Sequence, residues 1–327
     1  MAAPITMAGD RLLIAHDDTD PYLGRITSRF PGLPVQVYDG SGSLNEILEQ
    51  AAPTIVYVCS CENVPKSAQL ELLNYPTVRW FHNAGVGIDH LPDWDAERLT
   101  VTNSAGVLSP FLAQTTIGMV QALNFGLPGY LRQQDQGIWQ QNSWTGLQGK
   151  TLLVIGLGAI GGRVAAHAKA FGMHVIGVRN SPTPSDAVDE QVTRAQLADV
   201  LPRADFVCLH VPNTSDTHHL IDAAAFRAMK PTAYLLNLAR GPVVDEAALI
   251  DALVGAAIAG AYLDVFDKEP LPPDNPLWAL DNVIITPHVS DSVDDWPTQM
   301  AEFFCDNLER WLKDEPLVNL IDPGRGY

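Results

Sequence analysis

The chain has 327 residues, 38 acidic side chains against 20 basic ones, and a net charge of −18. That length fits two ordinary domains, and 46% apolar residues suffice for a sizeable core. So acidic a chain is a poor match for nucleic acid or an anionic membrane surface, both of which require a basic face.

Four cysteines, with Cys59 and Cys61 as a lone C-x-C, make neither a disulfide framework nor a zinc site. The opening residues MAAPITMAGD lack the basic and apolar regions of a secretory leader, and no apolar run reaches the length of a membrane span. The expectation is a cytoplasmic protein with reduced thiols and no bound metal.

Short apolar runs alternate with helical stretches. Residues 11–16, 35–38, 55–59 and 78–82 read as strands, separated by stretches such as Leu44–Ala51 and Ser67–Leu73. Ser109–Leu123 reads as a helix leaving this first set. Residues 124–149, rich in Gln, Gly and Trp, precede a second set of strands at 151–155, 174–178, 206–210, 233–238, 260–265 and 283–286, and Asp294–Lys313 is helical in pattern. Near-continuous apolar strands alternating with helices point to parallel sheets covered on both faces. The chain therefore divides into two α/β units near residue 104.

The strand at 151–155 runs into Gly156-Leu157-Gly158-Ala159-Ile160-Gly161, a G-x-G-x-x-G turn, and a helix follows over Arg163–Phe171. Gly156 permits the tight turn, Gly158 lets a pyrophosphate approach the backbone, and Gly161 lets helix and strand pack closely. The N–H groups of the new helix and its dipole favour that anion. The next strand, His174–Val178, ends in Arg179-Asn180-Ser181 with no acid to accept from a ribose 2′-hydroxyl. Arg179 can pair with a 2′-phosphate and Ser181 can donate to it, which favours NADP(H) over NAD(H).

Arg240 follows the strand at 233–238, Glu269 lies just past the strand at 260–265, and His288 follows the strand at 283–286. Ligands bind at the carboxyl ends of strands in open α/β sheets, so all three sit at the edge that carries the glycine turn.

With these segments in place the chain resembles the D-isomer-specific 2-hydroxyacid dehydrogenase family, and within it the glyoxylate/hydroxypyruvate reductases. The resemblance rests on GLGAIGG, NLARGPVVDEAAL, LDVFDKEPLP and NVIITPHVS, in order, with NAGVGID at 83–89 matching the substrate loop. It implies an α/β fold of two doubly wound parallel-sheet domains. A Rossmann cofactor domain, residues 105–289, is inserted into a flavodoxin-like substrate domain, residues 1–104 and 290–327, with the active site between them and a homodimer as the assembly.

The implied reaction is hydride transfer between NAD(P)H and a small 2-oxo acid or D-2-hydroxy acid. Reduction needs a proton for the carbonyl oxygen, which suits His288. Glu269 can hold the other imidazole nitrogen, and Arg240 offers a planar fork to the substrate. Asp264 resembles the acid that accepts from the nicotinamide carboxamide. Ala239, the turn His210-Val211-Pro212 and Thr217 resemble further cofactor contacts, and the N–H groups of Val86 and Gly87 would bind the substrate carboxylate. Cys59–Asn63 resembles the loop bordering the substrate, or is a plain surface turn.

Three features depart from the family pattern. Ala113-Gln114 stands where Ala-Glu is frequent, Ser290-Asp291 follows the histidine in place of Ser/Ala-Gly, and Trp296 lies beyond. A formate dehydrogenase is excluded by Glu269, and the regulatory extension of phosphoglycerate dehydrogenases is not expected. A dinucleotide-sensing corepressor-like protein and a phosphite-type dehydrogenase are the alternative readings on the same fold. The −18 charge opposes binding of an anionic cofactor and substrate, so Arg179, Arg240 and a helix N-terminus must provide the local attraction.

Overall fold

The apolar runs form two parallel sheets. A computed structural model describes residues 9–59, 64–88, 90–181 and 183–322. The chain separates into two units, one from Met1–Val107 with Val293–Tyr327 and one from Leu108–Ser292. These divisions, after Val107 and after Ser292, stand beside the 104/105 and 289/290 read from the sequence.

In the first unit the strands are β1 (Leu12–Ala15), β2 (Val35–Tyr38), β3 (Ile55–Val58), β4 (Trp80–Asn83) and β5 (Thr100–Asn103), with helices α1 (Leu23–Arg29), α2 (Leu44–Ala51) and α3 (Lys66–Asn74) between them. They pair in the order β2-β1-β3-β4-β5, all parallel, which is the flavodoxin-like arrangement. Strands β1 and β3 are buried at every position, as parallel strands covered on both faces require.

The C-terminal helix, labelled α10 (Trp296–Leu312), returns to this sheet. Its Ala301, Phe304 and Leu308 share a core with Ile14, Tyr57 and Trp80. The Trp80 ring stacks between Phe304 and Trp311 at 5.2 and 5.4 Å. Burying one such ring contributes roughly 2 kcal/mol, which makes α10 an integral layer rather than an appendage.

The second unit begins with α4 (Ser109–Phe125) and α5 (Leu127–Asp135) and continues as β6 (Thr151–Ile155), α6 (Ala159–Ala170), β7 (His174–Val178), β8 (Glu190–Val192), α7 (Leu197–Val200), β9 (Phe206–Leu209), α8 (Ala223–Ala228), β10 (Tyr234–Asn237), α9 (Glu246–Val254), β11 (Gly260–Leu263) and β12 (Val283–Ile285). The strand order β12-β11-β10-β9-β6-β7-β8 is that of a Rossmann sheet with one strand added at an edge. One face is closed by α4 and α6, through Ala113, Ile117 and Val120 against Val164, Ala165 and Ala168. The other carries a separate core built on Val207, Leu235 and Phe226.

Among the described residues no helix is long and apolar enough to cross a membrane. Residues 60–63 of the expected Cys59–Asn63 loop, and Asp89 of NAGVGID, lie outside the described residues.

Candidate active site

Because β10, β11 and β12 are neighbours in the sheet, the loops leaving their carboxyl ends lie side by side. They carry Arg240, Asp264 with Glu269, and His288. Gly241 brings the first two loops into contact. A Cβ there would lie 2.0 Å from the carbonyl carbon of Phe266, so only glycine permits this approach. Asn237, the last residue of β10, ties down the turn beyond it. Its Oδ1 accepts from the Ala239 N–H at 3.1 Å, and its Nδ2 donates to the Arg240 carbonyl at 3.0 Å. The Arg240 guanidinium donates to the Ala239 carbonyl at 2.7 Å.

Glu269 uses both carboxylate oxygens. Oε1 accepts the Phe266 N–H at 3.0 Å, and Oε2 lies 2.8 Å from Nδ1 of His288. The acid is thus anchored by backbone on one side and holds the imidazole on the other, leaving Nε2 as the nitrogen available to a ligand. The His288 side chain is 44% exposed, so a small molecule can reach it. His288 adopts a positive φ of 53°, stabilised by its N–H donating to the Asp264 carbonyl at 2.9 Å.

The Asp264 side chain is buried. It accepts from the Thr286 hydroxyl, from Val289 N–H at 3.0 Å and from Ser290 N–H at 3.1 Å, and so caps the turn that presents His288.

At the same edge, Gly156 has φ 101°, and a Cβ on it would lie 2.4 Å from the His210 carbonyl oxygen. A Cβ on Gly161 would lie 1.9 Å from the Gly156 oxygen, whereas one on Gly158 would meet nothing within 4 Å. Two glycines therefore serve internal packing, and the third borders open space. Gly158 is also the N-cap of α6 and offers no side chain to its first N–H groups, those of Ala159 and Ile160 among them. Open space beside Gly158 at a helix N-terminus fits the pyrophosphate of a dinucleotide.

His210 follows β9, with both ring nitrogens buried and unpartnered among the described residues, and burial pushes its imidazole down to about 4. Beyond it, the Thr217 hydroxyl donates to the Pro212 carbonyl at 2.6 Å and holds the turn after Val211. The Arg179 N–H donates to Val192 O at 2.9 Å, extending the β7–β8 pairing, and among the described residues no ion pair engages its guanidinium. Asn180 Oδ1 accepts the Arg194 N–H at 3.4 Å, while the Ser181 hydroxyl donates to Thr183 at 3.1 Å.

In the first unit, Asn83 and Asn103 end β4 and β5 as Asn237 ends β10. Asn83 Nδ2 donates to the carbonyls of Gly85 and Gly87 at 3.0 Å each, and Asn103 Nδ2 donates to that of Val86 at 2.7 Å. Among the described residues none accepts from the N–H of Val86 or Gly87. The loop is thus fixed by its carbonyls, with its donors available. Reading the sequence missed these asparagines. The available signal was an Asn at the last position of three otherwise β-forming runs, WFHN, TVTN and YLLN.

Comparison with known proteins bears on this arrangement. The family described as D-isomer specific 2-hydroxyacid dehydrogenase, NAD binding domain, matches residues 117–290. A glyoxylate reductase of Thermofilum pendens is 36% identical over 257 residues, covering 76% of each chain. The crystal structure of a D-isomer specific 2-hydroxyacid dehydrogenase family protein from Aeromonas salmonicida superposes with a TM-score of 0.83 at 30% identity, over 97% of this chain and all of the other. A D-isomer specific 2-hydroxyacid dehydrogenase from Xanthobacter autotrophicus, solved in complex with NADPH and MES, gives a TM-score of 0.81 at 29% identity, over 97% and 99%.

Proposed function

The chain belongs to the D-isomer specific 2-hydroxyacid dehydrogenase family, and on that premise we propose that it reduces a small 2-oxo acid to the D-2-hydroxy acid with NADPH, His288 being the acid–base group. The observation that carries this reading is the 2.8 Å contact between His288 Nδ1 and Glu269 on the edge that also holds Arg240. Bound nicotinamide dinucleotide supplies or accepts the hydride at C2.

This chain's own residues supply the rest. Arg240, set by Asn237, binds the substrate carboxylate and carbonyl oxygen through a planar fork of donors. His288 donates a proton from Nε2 to the carbonyl oxygen in reduction and takes it back in oxidation. Glu269 keeps the ring oriented through Nδ1. The N–H groups of Val86 and Gly87 bind the substrate carboxylate in this reading.

Gly156, Gly158, Ala159, Ile160 and Gly161 hold the pyrophosphate. Arg179, Asn180 and Ser181 meet the adenosine ribose, and Arg179 favours the 2′-phosphate of NADP(H) over NAD(H). His210, Val211, Pro212, Thr217, Ala239 and Asp264 line the nicotinamide side. The NADPH complex of the Xanthobacter relative supports the cofactor, and the glyoxylate reductase relatives support a short 2-oxo acid.

Two copies are proposed to associate through α5 and the stretch after it. There Leu131, Ile138, Trp139 and Trp144 are exposed, Trp139 at 93%. Residues 136–149 carry no charged side chain in a chain of net charge −18, which makes this the surface where two such acidic molecules repel least.

The test is NADPH oxidation over glyoxylate, hydroxypyruvate, pyruvate, branched 2-oxo acids and phenylpyruvate, repeated with NADH. Turnover of at least one 2-oxo acid supports the reading. Tight dinucleotide binding with no turnover overturns it in favour of a sensor.

A further inference from the structure

Tyr262 lies on β11, and Asp264 follows just past its end, so the alternation of the strand turns both side chains to the same side. The Tyr262 ring is 1% exposed, in the core that holds Ala113, Val154 and Leu236. A phenylalanine would fill the same space. A hydroxyl in such a place is unfavourable unless it is bonded.

The hydroxyl is bonded on both sides of the turn that presents His288. It lies 2.8 Å from Thr286 Oγ1, ahead of the histidine, and 3.1 Å from Ser290 Oγ, beyond it. The directions follow from the protons available. Thr286 has one hydroxyl proton and donates it to the Asp264 carboxylate. The Tyr262 proton therefore goes to Thr286, and the Ser290 hydroxyl donates to the Tyr262 oxygen. Burial pushes the phenol up from its ordinary value, which keeps that proton in place. Three hydroxyls thus run in one direction, from Ser290 through Tyr262 to Thr286, and end on Asp264, each bond polarising the next.

Asp264 also accepts the N–H groups of Val289 and Ser290 at 3.0 and 3.1 Å, and Thr115 Oγ1 donates to the Ser290 carbonyl at 3.1 Å. Glu269 cannot follow a shift of this turn, because its Oε1 is tied to the Phe266 N–H at 3.0 Å. The 2.8 Å contact between its Oε2 and His288 Nδ1 therefore depends on where the turn is held.

We propose that Tyr262 is a positioning residue for the reaction, its hydroxyl setting the turn at 286–290 so that His288 meets both Glu269 and the substrate. The inference rests on the reading of His288 as the acid–base group. Tyr262 acts through the turn and not by touching the substrate. A ring held by an unbroken chain of bonds is already in its working orientation when the substrate arrives.

The experiment measures kcat, KM and the pH–rate profile with NADPH and glyoxylate, or the fastest 2-oxo acid of the panel above. The variants are Tyr262→Phe, Thr286→Val and the two combined. Tyr234→Phe is the control, at the amino end of β10, where the ring stacks on Phe206 at 5.5 Å. Rates are normalised to NADPH-binding sites by fluorescence titration, so an unfolded fraction does not lower kcat. Tyr262→Phe is expected to lower kcat about tenfold, with KM and NADPH affinity within about twofold of the wild type. Its pH–rate profile should move in the same direction as that of Glu269→Gln, which frees the imidazole directly. Thr286→Val cuts the same chain one bond on, so adding Tyr262→Phe to it should reduce the rate little further. Tyr234→Phe should match the wild type.

Wild-type kcat in Tyr262→Phe, a lowered kcat with an unmoved profile, or an equal loss in Tyr234→Phe overturns the role of Tyr262. His288→Ala separates that result from the reaction itself. If it abolishes turnover, the reading of His288 stands whatever Tyr262→Phe does. If it turns over normally, that reading and the inference fall together.

Discussion

The Nδ1 atom of His288 lies 2.8 Å from Oε2 of Glu269, and the opposite oxygen of that carboxylate is tied to the Phe266 N–H at 3.0 Å. A histidine so held presents one defined nitrogen. His288→Ala is expected to lower kcat by about 10²- to 10⁴-fold, the usual contribution of a positioned general acid, with dinucleotide affinity nearly unchanged. Glu269→Gln removes the anchor without removing the acid. It should leave measurable turnover but alter the pH–rate profile. Near-normal kcat in His288→Ala, or an unaltered profile in Glu269→Gln, would sink the pairing as the catalytic unit.

The three glycines of the turn make separable predictions. A methyl on Gly161 would sit 1.9 Å from the Gly156 oxygen, so Gly161→Ala should destabilise the second unit by ~1–3 kcal/mol. A methyl on Gly158 meets no protein atom within 4 Å, and the backbone there is extended, so Gly158→Ala should melt like the wild type. Its methyl would instead occupy the space assigned to the pyrophosphate, and NADPH affinity should fall at least tenfold by fluorescence titration. Unchanged affinity in Gly158→Ala would mean the dinucleotide lies elsewhere.

Much of this arrangement was legible because parallel strands covered on both faces must be apolar throughout. Strands such as LLVI and LLIA announce themselves, and the glycine turn follows directly from one of them. Strand β5 did not, because its buried polar Thr102 is satisfied by Trp80 Nε1 at 2.9 Å and His82 Nδ1 at 2.7 Å, contacts invisible in the chain order. The edge strand β8, EQV, has too few apolar residues to stand out. Glu269 and His288 are 19 residues apart, and in the sequence only the family resemblance pairs them. Their hydrogen bond is a product of β11 and β12 being sheet neighbours.

Arg179 extends from the end of β7, its backbone fixed to Val192 and its guanidinium without an ion pair among the described residues. A charge-assisted bond from this group to a 2′-phosphate is worth ~1.5–3 kcal/mol, so Arg179→Asp should weaken NADPH binding by about 10- to 100-fold and spare NADH. Direct titration with both cofactors checks this. A wild type that already prefers NADH would remove the basis for the NADP(H) assignment.

The exposed Trp139 gives the association surface a single-residue test. Placing a negative charge in the centre of an uncharged patch should separate two acidic molecules. Sedimentation should find the wild type at twice the mass of the 35.5 kDa chain and Trp139→Glu at one chain mass. A monomeric wild type, or a variant that still pairs, would count against α5 and the residues after it as the contact.

Two buried histidines predict how stability responds to mild acid. Burial pushes His82 down from 6.5 to about 3 and His210 down to about 4. His82 is enclosed between Thr102 Oγ1 at 2.7 Å and Ser104 Oγ at 3.1 Å, and is stacked on Tyr57. Both rings stay neutral in the folded chain, while the unfolded chain binds a proton at each once the pH drops below about 6.5. The unfolded state then holds more protons, so stability is full above that value and declines as the pH falls towards 4. Each histidine contributes a loss of ~1.4 kcal/mol per pH unit well inside that window. Carboxylates with lowered values, such as Glu309 at about 2, lose their contribution only at lower pH. Urea unfolding at pH 7.5 and 5.5 should therefore show a drop that shrinks by about 1 kcal/mol in His82→Gln, even though the variant is less stable at pH 7.5. An equal drop in variant and wild type would show that His82 takes up its proton in the folded state.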